Sequence, residues 1–113
     1  PWAAVHAAVH PTNPGQALST RAAFGAHTRS GWRAVGRPDA GTLAPGAPAH
    51  LAVWAVDEIV VQAPDERVAA WSTDPRSGTP GLPALGPALP LPRCLRTVVH
   101  GRTVFDSGDL DQP

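Results

Sequence analysis

Five histidines, one cysteine and a few carboxylate pairs are the residues of this chain whose types and spacing could do chemistry. His6 and His10 lie four apart. On a helix that spacing sets two imidazoles on one face, as two-histidine zinc sites require. No glutamate follows His6 and no third ligand is placed, so a solvated helix face is the favoured reading. His27 falls on the apolar face of an expected helix, where a satisfied buried histidine is expected. His50 and His100 flank expected strands. Asp57-Glu58 and Asp65-Glu66 are carboxylate pairs, but catalytic carboxylates must converge in space with shifted pKa values. Sequence neighbours on a strand point apart. A turn and a helix start are therefore the better readings. Ser72-Thr73-Asp74 has no base and orienter beside it. Cys94 with a distant histidine could be a thiol nucleophile, yet a buried strand cysteine is far commoner. GxSxG, phosphate-loop and CxxC motifs are all missing. The residues alone assign no catalytic, cofactor-binding or metal position, and they describe a mixed α/β chain with helices first and strands last.

The elements that would position these residues follow from spacing. Pro1 to His10 is expected to be a short helix, with proline in the first turn and Trp2, Val5 and Val9 along one face. Pro11 to Gly15 ends it. Ser19 is a good N-cap for a second helix, Thr20 to Val35, with Ala23, Phe24, His27, Gly31 and Val35 on its apolar face. Ala22 stands where a capping box would place Glu or Gln. Gly36 is its expected C-cap and Pro38 its stop. Gly41 to Pro48 makes a tight turn into Leu51–Val56, an apolar run that fits a strand covered on both faces. Ile59 to Gln62 is a second short apolar piece, and Asp65 and Glu66 open a short helix ending near Trp71. Ser72 to Pro92 is an irregular, proline-rich loop whose leucines lie against something apolar. Leu95 to Val99 and Thr103 to Phe105 form a hairpin, with Gly101-Arg102 near the bend. Asp106 to Pro113 is expected to fray.

Composition sets outer bounds. The 113 residues suit one small domain, with 42% hydrophobic residues and few aromatics. Fourteen prolines and eleven glycines make up about 22% of the chain, well above the usual share. Elements should be short, and the chain marginal in isolation. Nine basic and nine acidic residues cancel, and every basic one is an arginine set singly along the sequence. No basic stripe exists for phosphate, which argues against nucleic acid. The single cysteine fits a reducing, cytoplasmic setting. No run approaches the length of a membrane helix, and no signal-peptide pattern opens the chain.

Four motifs in order resemble a known family. Pro1-Trp2-Ala3-Ala4-Val5-His6-Ala7-Ala8-Val9 resembles the segment after the last barrel strand of metal-dependent amidohydrolases of the YtcJ-like branch. Pro14-Gly15-Gln16-Ala17-Leu18-Ser19, with Ala22-Ala23-Phe24 and Thr28, is similar to that family's next helix. Gly41-Thr42-Leu43-Ala44-Pro45-Gly46 with Ala49-His50-Leu51-Ala52-Val53 resembles its "G-x-L-x-P-G-x-x-A-D-[LF]-[VA]-V" signature. Thr97 to Phe105 resembles its closing hairpin. His50 stands where the family's signature has an aspartate, read here as a turn residue.

The resemblance implies a (β/α)8 barrel joined to a β-sandwich built from both chain ends. Residues 1–38 would be the last barrel helices. Residues 39–113 would be the C-terminal half of the sandwich, with the proline-rich loop at 72–92. It also implies a divalent metal, zinc by expectation, that activates water and polarises the carbonyl of an amide or cyclic amide. The family's ligands, an His-x-His pair, further histidines, a carboxylated lysine or glutamate and an aspartate, match no position here. Only Pro1 and Trp2 would come near a small-molecule substrate. The expectation is the C-terminal segment of a metal-dependent hydrolase of carbon–nitrogen bonds, inactive by itself and able to form homo-oligomers. The alternative is a small stand-alone interaction or metal-binding domain without catalysis.

Overall fold

The computed structural model describes residues 1–61 and 81–111. Within them lie three α-helices, five strands in two antiparallel sheets, and two single-turn 3-10 helices. The chain divides into two compact units, Pro1–Ala23 with Val56–Leu91 and Phe24–Ala55 with Pro92–Pro113.

In the first unit, α1 spans Trp2–Val9 behind Pro1 as N-cap. The Pro1 carbonyl accepts from the N–H groups of Ala4 and Val5, both at 3.1 Å. The three- and four-residue spacing works as expected: Trp2 and Val5 are buried and Val9 half-buried. Asn13 caps the 3-10 turn Pro14–Gln16 through its side chain. Strands β2 (Ile59–Val61) and β3 (Gly81–Pro83) pair with Val60 opposite Leu82. The expectation of irregular chain from 72 to 92 is thus corrected at 81–83. Pro83 is compatible with a two-stranded ribbon, because its missing N–H lies where no ladder bond is required. A Cβ on Gly81 would come 2.7 Å from Ile59 Cγ2, so a larger residue there would require the Ile59 side chain to shift. Leu82 and Leu85 are buried, whereas Leu89 and Leu91 stay exposed. The expected helix from Asp65 to Trp71 lies outside the described residues.

The expected helix from Thr20 to Val35 is instead two: α2, Thr20–Ala26, and α3, Arg29–Ala34. The start is as expected, with the Ala22 N–H donating to Ser19 Oγ at 3.0 Å. The break has a local cause. The His27 and Thr28 N–H groups bond the carbonyls of Phe24 and Gly25, three residues back rather than four. The Thr28 hydroxyl adds a 2.9 Å bond to the Phe24 carbonyl. Threonine that bonds backbone in this way competes with the helical ladder. His27 consequently sits between helices and is exposed, which corrects its expected burial. Val35 is also exposed, and Gly36 takes the left-handed conformation expected past a helix end.

The second unit contains the sheet β1-β4-β5, with β1 Leu51–Ala55, β4 Arg93–Val99 and β5 Arg102–Asp106. The expected hairpin and strand are present. Coverage on both faces is not, since Leu51 and Ala52 are exposed and every residue of β5 is exposed. Two register shifts shape this sheet. Val53 faces Arg96 while Trp54 faces Cys94, so Leu95 is an extra residue. Thr97 faces Phe105 while Val98 faces Thr103, so Val104 is another. A bulge of one residue resets the alternation of faces. Arg93 and Arg96 therefore share one face with Val53 and Asp106. Cys94 and Thr97 share the other with Trp54 and Phe105.

Candidate functional site

Four of the five histidines gather in two places. In the first unit His6 and His10 stand with ring centroids 4.8 Å apart. His10 follows the last turn of α1, and its Nε2 hydrogen-bonds the Leu85 carbonyl. A carbonyl only accepts, so Nε2 carries the proton and is not a metal ligand in this arrangement. His6 is half-buried and His10 exposed, so the solvated helix face holds for His10 and only in part for His6.

The second unit holds a ring ladder that spacing did not reveal. Trp32 of α3 lies flat against His50, with centroids 5.5 Å apart and planes 5° apart. His100, at the β4–β5 turn, meets His50 edge-on at 4.3 Å. Arg37 lies 5.9 Å over the Trp32 ring and pairs with Asp39 at 3.3 Å. That guanidinium, chiefly by its hydrogen bond, holds the Asp39 carboxyl below its ordinary value. The ladder brings together residues 18 and 50 positions apart, and only the fold of the Gly41 turn could announce it. Gly41 has φ +80, and a Cβ there would sit 2.8 Å from Arg29 Cα and 2.9 Å from Trp32 Cδ1. Glycine is what lets the turn close against α3.

The other candidates are occupied by structure. Cys94 is half-buried, with Sγ 3.4 Å from Thr97 Oγ1. Asp57 and Glu58 are exposed between β1 and β2, and the Glu58 carbonyl accepts from the Ala84 N–H. Asp65-Glu66 and Ser72-Thr73-Asp74 lie outside the described residues. Pro1 is exposed, and Trp2 is 6% exposed. The expected fraying at the end is corrected for 106–111. Asp109–Asp111 forms a 3-10 turn held by Arg93–Asp109 at 2.6 Å, Arg96–Asp106 at 2.6 Å and Arg96–Asp111 at 3.2 Å. The bulge at Leu95 makes this grip, because it puts both arginines on one face. Its carbonyl also accepts from the Ser107 N–H at 2.8 Å.

The amidohydrolase family profile matches residues 1–105. The chain belongs to the amidohydrolase family. No curated protein and no solved structure matches it. The described part of this amidohydrolase chain contains no group of three His, Cys, Asp or Glu side chains able to hold a metal ion. The donor chemistry agrees, since His10 Nε2 and His50 Nδ1 are each committed to a hydrogen bond. Neither of those two nitrogens is free to ligate a metal in this arrangement. None of their helices is long and apolar enough to cross a membrane.

Proposed function

We propose that this amidohydrolase chain is the scaffold segment of a metal-dependent hydrolase of amide or cyclic amide carbon–nitrogen bonds, close to the YtcJ-like branch. The observation that carries the reading is the family match over residues 1–105, joined to a sheet that leaves its β5 edge strand and the Phe105 face uncovered. In this reading residues 1–38 are the last helices of a (β/α)8 barrel and residues 39–113 are half of a composite sandwich. Other strands of the enzyme would cover the face carrying Trp54 and Phe105. An edge row of unpaired backbone groups is suited to such strands.

The divalent metal, zinc by this reading, would be held by barrel residues other than those described here, and no chemical step is assigned to the histidines of this chain. Pro1 would border the substrate, and the buried Trp2 would hold that border in place. Nucleic acid and membrane are not among the partners proposed. The whole enzyme would act on a small molecule in the cytoplasm, and a homo-oligomer is compatible with the uncovered sheet.

The test is hydrolysis of simple amides and cyclic amides, with and without added zinc, by the 113-residue protein and by the complete gene product. Activity in the complete product alone is expected. Zinc-dependent turnover by the 113 residues would overturn the scaffold reading.

A further inference from the structure

His100 is the one non-glycine residue with positive φ among the described residues, at 49°. Its backbone N–H donates to His50 Nδ1 at 3.2 Å. The Gly101 N–H donates to the Ala49 carbonyl at 2.9 Å. These two bonds tie the β4–β5 turn to the segment entering β1. One acceptor is a carbonyl, which is indifferent to pH. The other is an imidazole nitrogen, which accepts only while it carries no proton.

The surroundings make that nitrogen consequential. The flat contact with Trp32 and the edge contact with His100 fix the His50 ring in direction. The groups facing it are the second imidazole, from the turn, and the indole, from α3. Arg37 lies over the same indole and is engaged with Asp39. Among the described residues no carboxylate pairs with either imidazole. A proton on Nδ1 would place N–H against N–H and end the bond to the turn. A proton on His100 as well would set two like charges 4.3 Å apart. A cation is still welcome on an indole face, so His50 can keep its stack on Trp32 while it lets the turn go.

We propose that His50 is a proton-operated catch on the β4–β5 turn, closed when the imidazole is neutral and released when its Nδ1 takes a proton. The sheet persists, because its ladder uses backbone groups alone. Release is confined to residues 99–102 and the start of β1. This inference is independent of the scaffold reading, since it concerns a contact within one unit.

The experiment is amide hydrogen exchange in the 113-residue protein, read as protection relative to the unstructured rate at each pH. His100 protection should fall about fivefold from pH 8 to 5, the weight of one lost bond, while Val98 stays constant. In His50→Asp the carboxylate accepts throughout the range, and the fall at His100 should vanish. His100→Asn keeps the N–H and the left-handed backbone, so its fall should remain. An unchanged His100 protection in the natural protein, or an equal fall in His50→Asp, would overturn the catch. Should His50→Asp fail to fold, the ring itself decides. Imidazole nitrogen spectra of the natural protein at pH 8 should show His50 protonated on Nε2, and an Nδ1-protonated ring sinks the proposal.

Discussion

The unit built from 1–23 and 56–91 buries Trp2, Val5, Ala23, Leu82 and Leu85, whereas the unit built from 24–55 and 92–113 buries only Ala40 among its described residues. The first is held by apolar side chains removed from water. The second is held by a three-stranded backbone ladder, a ring stack and ion pairs. Apolar burial contributes about 25 cal/mol per Å2, and exposed ion pairs contribute little. The difference teaches where each unit is vulnerable. The first should respond to loss of volume, and the second to changes in backbone geometry, partner coverage and charge.

Trp2→Ala is the strongest way to break the comparison. Removal of a packed tryptophan costs about 3–5 kcal/mol. Its effect should appear in urea unfolding followed by amide signals of Val5 and Leu82, at lower denaturant than those of Thr97 and Val98. Equal loss of both sets would erase the distinction between the units.

Gly41→Ala is the matching change in the second unit. The residue has φ +80, and a new Cβ would meet the Arg29 backbone at 2.8 Å. Backbone strain of that kind costs about 1–3 kcal/mol. The Thr97 and Val98 signals should now be lost first, and the stacking of Trp32 on His50 should weaken, as read by tryptophan fluorescence. A neutral outcome would mean the turn does not need its close approach to α3.

Phe105→Ser sharpens the comparison by doing little. Phe105 is 48% exposed, so the isolated chain should change by no more than about 0.5 kcal/mol. If other strands of the enzyme cover that face, the complete product should lose stability or solubility with the same substitution. Equal, small effects in both settings would count against coverage.

Local signals in the sequence carried most of the elements and little of the cluster geometry. The Trp2–Val5–Val9 spacing, the Ser19 cap and the β-rich hairpin all appear where expected, because each depends on residues close in sequence. The single long helix failed at His27-Thr28, where a threonine side chain took a carbonyl from the ladder. The Trp32–His50–His100 stack was illegible, since it joins three segments through a turn whose closure depends on Gly41. The ordered end was missed for a related reason. A polar tail looks free until a bulge at Leu95 aligns Arg93 with Arg96.

That alignment gives the smallest effect and the cleanest sign. Asp106 is held below the ordinary carboxyl value first by the Gly108 N–H and then by Arg96. Asp109 is held down chiefly by its bond to Arg93. Both folded values are depressed, so their contribution is full above the unstructured aspartate value, about 3.9, and is lost as pH falls through the lower folded values. Gly108 and Asp109 amides should keep their positions from pH 7 to about 5 and shift toward unstructured values only below about 4. Arg93→Met should free Asp109 while Arg96 still grips Asp106 and Asp111, whereas Arg96→Met should release Asp106 and Asp111 together. If the two variants behave alike, the turn is held by the Ser107–Leu95 backbone bond and not by the arginines. The second unit would then owe its ordered end to the bulge carbonyl alone.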